Sequence, residues 1–174
     1  PPTYFKRRVV NKVIDQVAAC IAQVIEDGDC LSFSTDSLCE ALGRHLTRKR
    51  HLGIHSSCFT DALMDLVKSG AVTNYRKEVF RGKSVASYAL GTPELMAWLD
   101  RNPLIEFQGV EQVFDPTQIG RNPNFVVVFR ARKVDLLGRI AFSVGKGSIS
   151  SGPGEGADLF TGTGNFTVPI ALPP

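Results

Sequence analysis

The sequence predicts an α/β fold: an open, mostly parallel sheet flanked by helices, with an antiparallel hairpin near residues 125–144. Three observations predict it. Short apolar runs alternate with helical patterns along most of the chain, which is the signature of strand–helix–strand units. Phe125 to Phe129 is an unbroken apolar run, as expected of a strand covered on both faces. The segments before and after Asp135 to Gly138 are joined too closely for a crossover, so they must pair antiparallel. With 174 residues the chain is long enough for one domain with a real core.

The elements follow in order. Val10, Val13, Ile14, Val17, Ile21, Val24 and Ile25 recur with helical spacing and define one face of an amphipathic helix, which Gly28 ends. Cys20 lies within this pattern, so a buried thiol is expected there. Cys30 to Phe33 reads as a short strand, and Ser34 to Ser37 as a turn that caps a helix over Leu38 to Leu46. Leu52 to His55 is the next strand. Small polar residues then lead into a helix carrying Ala62, Leu63, Leu66 and Val67, which stops at Gly70. Val79–Phe80 and Val85 to Leu90 read as strands. Thr92-Pro93 opens a helix through Leu99 that closes at Asn102-Pro103, with Trp98 in the core. Leu104 to Phe107 is a short strand, and Asp115-Pro116 starts a helical turn near Thr117 to Gly120. The strand from Phe125 extends to Val134 and returns as Arg139 to Val144. A glycine-rich stretch follows, and Val168 to Leu172, with Pro169 inside it, suits only an edge strand.

Composition excludes several classes of function. Hydrophobic residues make up 43% and charged residues 21%, which fits an ordinary globular domain. A net charge of +3 is too small to argue for a nucleic-acid partner, and Arg44 to His51, which hold most of the basic excess, read as a solvated loop. The four cysteines form no CxxC pair and no zinc-ligand spacing, so no metal is expected. Reduced cysteines fit a cytoplasmic location. No apolar run spans a bilayer, and no membrane partner is expected. A start at Pro1-Pro2 without methionine suggests a piece of a longer chain.

The stretch with chemical promise is Leu52 to Asp61, a strand running through a polar turn into a helix. In open α/β sheets ligands bind where such turns leave the carboxyl ends of strands. His55 is a candidate base or a structural hydrogen-bonding residue. Cys58 is a candidate activated thiol or a buried small residue.

An ordered series of motifs carries a family resemblance. It comprises Leu52-Gly53-Ile54-His55, Asp61 with Leu66-Val67 and Gly70, Gly91-Thr92, Asp100, Asn102-Pro103, Asn122 to Val128, and Val134-Asp135-Leu136 with Gly138. Ser151-Gly152, Gly154, Asp158 and Gly162 complete it. The chain resembles the C-terminal domain of the acetyl-CoA hydrolase/transferase family, which includes 4-hydroxybutyrate and acetate CoA-transferases, over roughly residues 8–163. The resemblance implies a class I CoA-transferase-like fold, with residues 1–174 as a single C-terminal domain. It implies chemistry on acyl-CoA thioesters, with coenzyme A or acyl-CoA as substrate and no permanently bound cofactor. It also implies a partner in a related N-terminal domain of the same chain, with homo-oligomerisation left open.

Family members use a glutamate nucleophile that forms an acyl anhydride and then a glutamyl-CoA thioester. The residues here depart from that pattern. Ser57 stands at the glutamate position, after His55 and Ser56. Ser34 and Asp36 stand where the family has two glycines, Phe129 where it has an asparagine, and Gly154-Glu155 where it has a glycine pair. Gly152 and Gly154 are the candidate contacts to CoA. Glu155 is the candidate for a relocated carboxylate. The resemblance thus predicts a family domain that has lost its usual nucleophile, and the alternative is an inactive CoA-binding or scaffold domain.

Overall fold

The computed structural model describes residues 4–122, 124–131, 133–134, 136–137, 140–141 and 167–171. Asn11 opens the first helix: its side chain accepts from the Ile14 amide at 2.8 Å, and α1 runs Lys12–Val24. Ala18, Ile21, Ala22 and Ile25 face the core. Cys20 is exposed, against the buried thiol expected of it. One residue before Ile21 and two after Ala18, it sits roughly 100° and 200° round the helix from them. Val13 and Val24 are exposed as well, so the buried stripe is narrower than the apolar periodicity suggests. The helix ends before Gly28, which adopts φ +94° in the turn that follows. A Cβ at Gly28 would meet only the exposed, flexible Arg76 side chain, so it is the positive φ that calls for glycine here.

β1 (Cys30–Phe33) leads into α2 (Ser37–His45), capped by Asp36, whose carboxylate accepts from the Cys39 amide at 2.9 Å. β2 (Gly53–Ile54) and β3 (Cys58–Phe59) precede α3 (Asp61–Lys68). Val79 and Phe80, expected as strand, lie in turns, with Phe80 at φ +53°. The single strand expected over Val85 to Leu90 is two: β4 (Ser84–Ala86) and β5 (Tyr88–Ala89). They part because the Ser87 and Tyr88 amides both turn to the Ser57 carbonyl, at 3.0 and 3.3 Å. α4 (Pro93–Leu99) carries Trp98, whose ring stacks on Phe59 at 6.0 Å. β6 (Ile105–Phe107) is followed by α5 (Val110–Val113), a turn of helix that the sequence pattern did not suggest, and by α6 (Pro116–Arg121). Then come β7 (Phe125–Ala131), β8 (Lys133–Val134), β9 (Ile140–Ala141) and β10 (Thr167–Ala171).

The main sheet has the order β10-β7-β1-β2, with every pair parallel. β3 pairs with β5 and β4 with β6, both parallel, and a parallel bridge from His55 to Val85 joins β4 to the line of β2. Among the described residues antiparallel pairing is confined to β8 with β9, two residues on each side; β7 itself has parallel neighbours on both edges. β10 takes the edge, where Pro169 is tolerated.

Alternation along β1 and β7 divides the core into two layers. Leu31, Phe33, Val126 and Val128 pack with the apolar faces of α1, α2 and α3. Cys30, Phe125, Val127 and Phe129 face the other way, onto Ile119 of α6 and Phe114. Each fully buried Leu or Phe side chain contributes about 1.5–3 kcal/mol. No helix among the described residues is long and apolar enough to cross a membrane.

Candidate functional site

β1, β3 and β5 release their chains on one side of the fold, into Ser34-Thr35-Asp36, Thr60 and Leu90-Gly91. Beside them lies an extended N-terminal strap, tied down by the Phe5 amide donating to the Gly91 carbonyl at 2.9 Å. The cavity they enclose is small, about 60 Å³, and is lined in part by Arg7, Ser34, Asp36, Thr60, Asp61 and Gly91. Arg7 is its central cation. The guanidinium binds Asp65 through two nitrogens, approaches Glu40 at 3.3 Å, and sets Nε 4.0 Å from Asp61. The hydrogen bond with Asp65 is the main cause raising the guanidinium pKa above its ordinary value.

Asp61 is buried and committed. Its Oδ2 accepts from the Thr92 amide at 3.1 Å and its Oδ1 from the Thr92 hydroxyl, while Thr92 Oγ1 caps α4 at Leu95. Asp36 is occupied as the cap of α2. The Cys39 thiol lines the same cavity, and burial pushes its pKa well up, so it is held as the neutral thiol. Arg7 and Glu40 are the site residues that sequence reasoning missed. The available signal was Asn11, whose cap geometry leaves residues 4–10 outside the helix and free to cross the strand ends.

Removing the Arg7 charge should cost measurable stability. Arg7 and Asp65 are 35% and 43% exposed, but Glu40 and Asp61 are only 8% and 6% exposed and would lose a counter-charge, so Arg7→Met is expected to cost about 1–3 kcal/mol, read as a shift of the urea midpoint. No measurable loss would mean that the strap is a surface contact rather than a structural tie.

The Leu52–Asp61 stretch is held mainly by its backbone. Gly53 and His55 donate to the Asp29 and Leu31 carbonyls, Ser56 to Val85, and the Ser57 carbonyl takes the Ser87 and Tyr88 amides. The Ser56 hydroxyl donates to the Phe33 carbonyl at 2.9 Å and accepts from the Phe33 amide at 3.2 Å, which completes the end of β1. Ser57 is buried, 6% exposed. Cys58 is buried, as expected of a small core residue. From below, Lys77 donates to the Ile54 and Lys83 carbonyls, both at 2.8 Å, and burial pushes its pKa down to about 8.

His55 is fully buried. Its Nε2 donates to the Val113 carbonyl at 2.7 Å, and Nδ1 accepts from Asn122 Nδ2 at 3.4 Å. These two bonds fix the neutral tautomer, and burial pushes the pKa down to about 4. Both ring nitrogens are therefore engaged with structural partners. Phe129 packs on the α6 side of the sheet with Cys30, Phe125 and Val127. Gly152, Gly154 and Glu155 lie outside the described residues, as does most of the glycine-rich stretch. No cluster of potential metal ligands exists among the described residues.

Comparison with known proteins gives a consistent picture. Residues 91–167 match the family described as acetyl-CoA hydrolase/transferase C-terminal domain. The chain is 37% identical to a succinyl-CoA:cyclohexane-1-carboxylate CoA transferase of Geobacter metallireducens, over 88% of this chain and 35% of that protein. It is 35% identical to 4-hydroxybutyrate coenzyme A transferase of Clostridium kluyveri, over 81% of this chain and 33% of that protein. The fold superposes on the crystal structure of RipA from Yersinia pestis with a TM-score of 0.89 at 29% identity, covering 97% of this chain and 39% of that one. The chain thus spans about a third of the length of the curated relatives it matches.

Proposed function

Since the chain carries an acetyl-CoA hydrolase/transferase C-terminal domain, we propose that it serves chemistry on acyl-CoA thioesters, or descends from it, without the family's glutamate nucleophile. The observation that carries this reading is Ser57, buried at the end of an intact strand platform. A serine hydroxyl cannot form the acyl anhydride. To attack a thioester itself it needs a base within hydrogen-bond reach. His55, two residues away, is unavailable: its nitrogens are bound to Val113 and Asn122, and its low pKa leaves it a poor proton acceptor. The carboxylates around the cavity are engaged too: Asp36 with α2, Asp61 with Thr92, and Glu40 and Asp65 with Arg7.

On this reading residues 1–174 form one C-terminal domain. The domain works beside a related N-terminal half of the same protein, with Gly152 and Gly154 as its candidate contacts to CoA or its thioester. Glu155 is the candidate carboxylate through which this chain would restore covalent transfer.

The test is acyl transfer by the full-length protein from acetyl-CoA to carboxylate acceptors, followed as thiol release and product formation. The expected result is CoA binding by calorimetry with no turnover above background. Turnover abolished by Ser57→Ala would overturn the reading. Turnover abolished by Glu155→Gln alone would assign catalysis to the relocated carboxylate.

A further inference from the structure

On the other side of the fold from the cavity at the strand carboxyl ends lies a second, wider cleft of about 580 Å³, lined by Tyr75, Arg76, Lys77, Glu78, Arg81 and Arg121. Its position follows from topology. The loop 74–83 feeds the amino end of β4, and Arg121 closes α6 just before the amino end of β7. The strands of the fold are parallel here, so these ends face away from Ser34, Thr60 and Gly91.

The loop that builds the cleft is held rigidly from beneath. Asn74 accepts from the Ile54 amide at 2.9 Å and donates to the Ser84 hydroxyl at 3.0 Å. Lys77 buries its amine against two carbonyls, Phe80 sets its ring edge-on to His55, and the Val79 amide reaches Asn122. Asn74, Phe80 and Gly82 all take positive φ, which such anchoring sustains.

Its outer side carries positive charge that no ion pair among the described residues neutralises. The Arg81 guanidinium lies 4.6 Å above the Tyr75 ring, which is 62% exposed. Arg76 and Arg81 each donate to a backbone carbonyl, of Asp27 and Tyr75. Among the described residues no carboxylate forms an ion pair with Arg76, Arg81 or Arg121, and Glu78 is the one acid lining the cleft. Three guanidinium groups converging on one cleft suit phosphate oxygens, and an exposed, rigidly presented aromatic face suits a nucleobase. The cleft is open to solvent, so a ligand would be held there by charge and stacking rather than by enclosure.

We propose that this cleft is a nucleotide site that takes a nucleoside di- or triphosphate, with Arg76, Arg81 and Arg121 on the phosphates and Tyr75 under the base. It stands independently of the thioester reading, because none of its residues belongs to the carboxyl-end cavity.

Calorimetry on the full chain at low salt tests it, with ADP, inorganic pyrophosphate and adenosine as probes. ADP is expected to bind saturably at about 10–100 μM, and adenosine at least tenfold more weakly. Replacing Arg76, Arg81 and Arg121 together by alanine should weaken ADP at least tenfold, with the far-ultraviolet spectrum unchanged, since all three are exposed. Tyr75→Leu should weaken ADP about tenfold and leave pyrophosphate unaffected. Arg48→Ala removes one charge from the separate basic loop and should leave ADP binding unchanged. Equal affinity for pyrophosphate and ADP would overturn the nucleotide assignment. An Arg48→Ala loss as large as that of the triple variant would reduce the site to diffuse surface charge and overturn it entirely.

Discussion

Acidification should destabilise this domain steeply between about pH 6.5 and pH 4, through His55. The fully buried ring has a folded pKa of about 4, against an ordinary value of 6.5. In that window the unfolded chain binds a proton that the native state refuses, so stability falls as pH falls. The contribution is complete above the unfolded value and lost by the folded one, and amounts to about 3 kcal/mol in order of magnitude. Urea denaturation as a function of pH reads it directly. His55→Leu supplies the control. It leaves the Val113 carbonyl and the Asn122 amide without their partner, which costs about 1–3 kcal/mol at neutral pH. It should flatten the acid limb by most of its height. An unchanged acid limb in His55→Leu would assign the titration to another group.

Gly91→Val should be among the most damaging single substitutions in the chain. A Cβ at this position would collide with the Asp61 carboxylate and lie 2.6 Å from Leu95 Cδ2. The carboxylate cannot yield without releasing the Thr92 amide and hydroxyl, and Leu95 is fully buried. Overpacking combined with a broken buried hydrogen-bond pair is expected to cost about 3 kcal/mol or more, roughly 10 °C in Tm for a chain of this size. Gly70→Ala is the contrast. Gly70 has φ +80° with nothing within 4 Å of the added carbon, so it bears only the backbone term, about 1 kcal/mol. Equal losses at the two positions would mean that the Asp61–Thr92 contact yields easily.

The parts of this architecture legible in the sequence were those fixed by strong local signals. The Asp36 and Thr92 caps, the proline at the first turn of α4, and the continuous apolar run of β7 each point to one outcome. The family resemblance was legible because its motifs occur in order over most of the chain. What sequence could not supply was partner choice. β4 and β5 are adjacent in the chain yet pair with β6 and β3, and nothing in Val85 to Leu90 announces the break at Ser87. The site shows the same limit. Ser57 was placed at the glutamate position by motif, but the commitment of His55 to Val113 and Asn122 spans 58 and 67 residues of chain and has no local signature. Arg7 was invisible for the same reason, since its partners Glu40 and Asp65 lie far along the chain.

The central place of β1 has a further consequence during synthesis. Its two neighbours arrive at very different times: β2 some twenty residues later, and β7 only after residue 125. A nascent chain emerging N-terminal end first therefore holds Cys30 to Phe33 as an open edge, its amides and carbonyls unpaired on one side, until most of the domain has been translated. Parallel pairing cannot be rehearsed by a local hairpin, so no early partner is at hand. Truncated chains ending before β7 should accordingly be captured by chaperones or aggregate, while those extending past β7 close the edge.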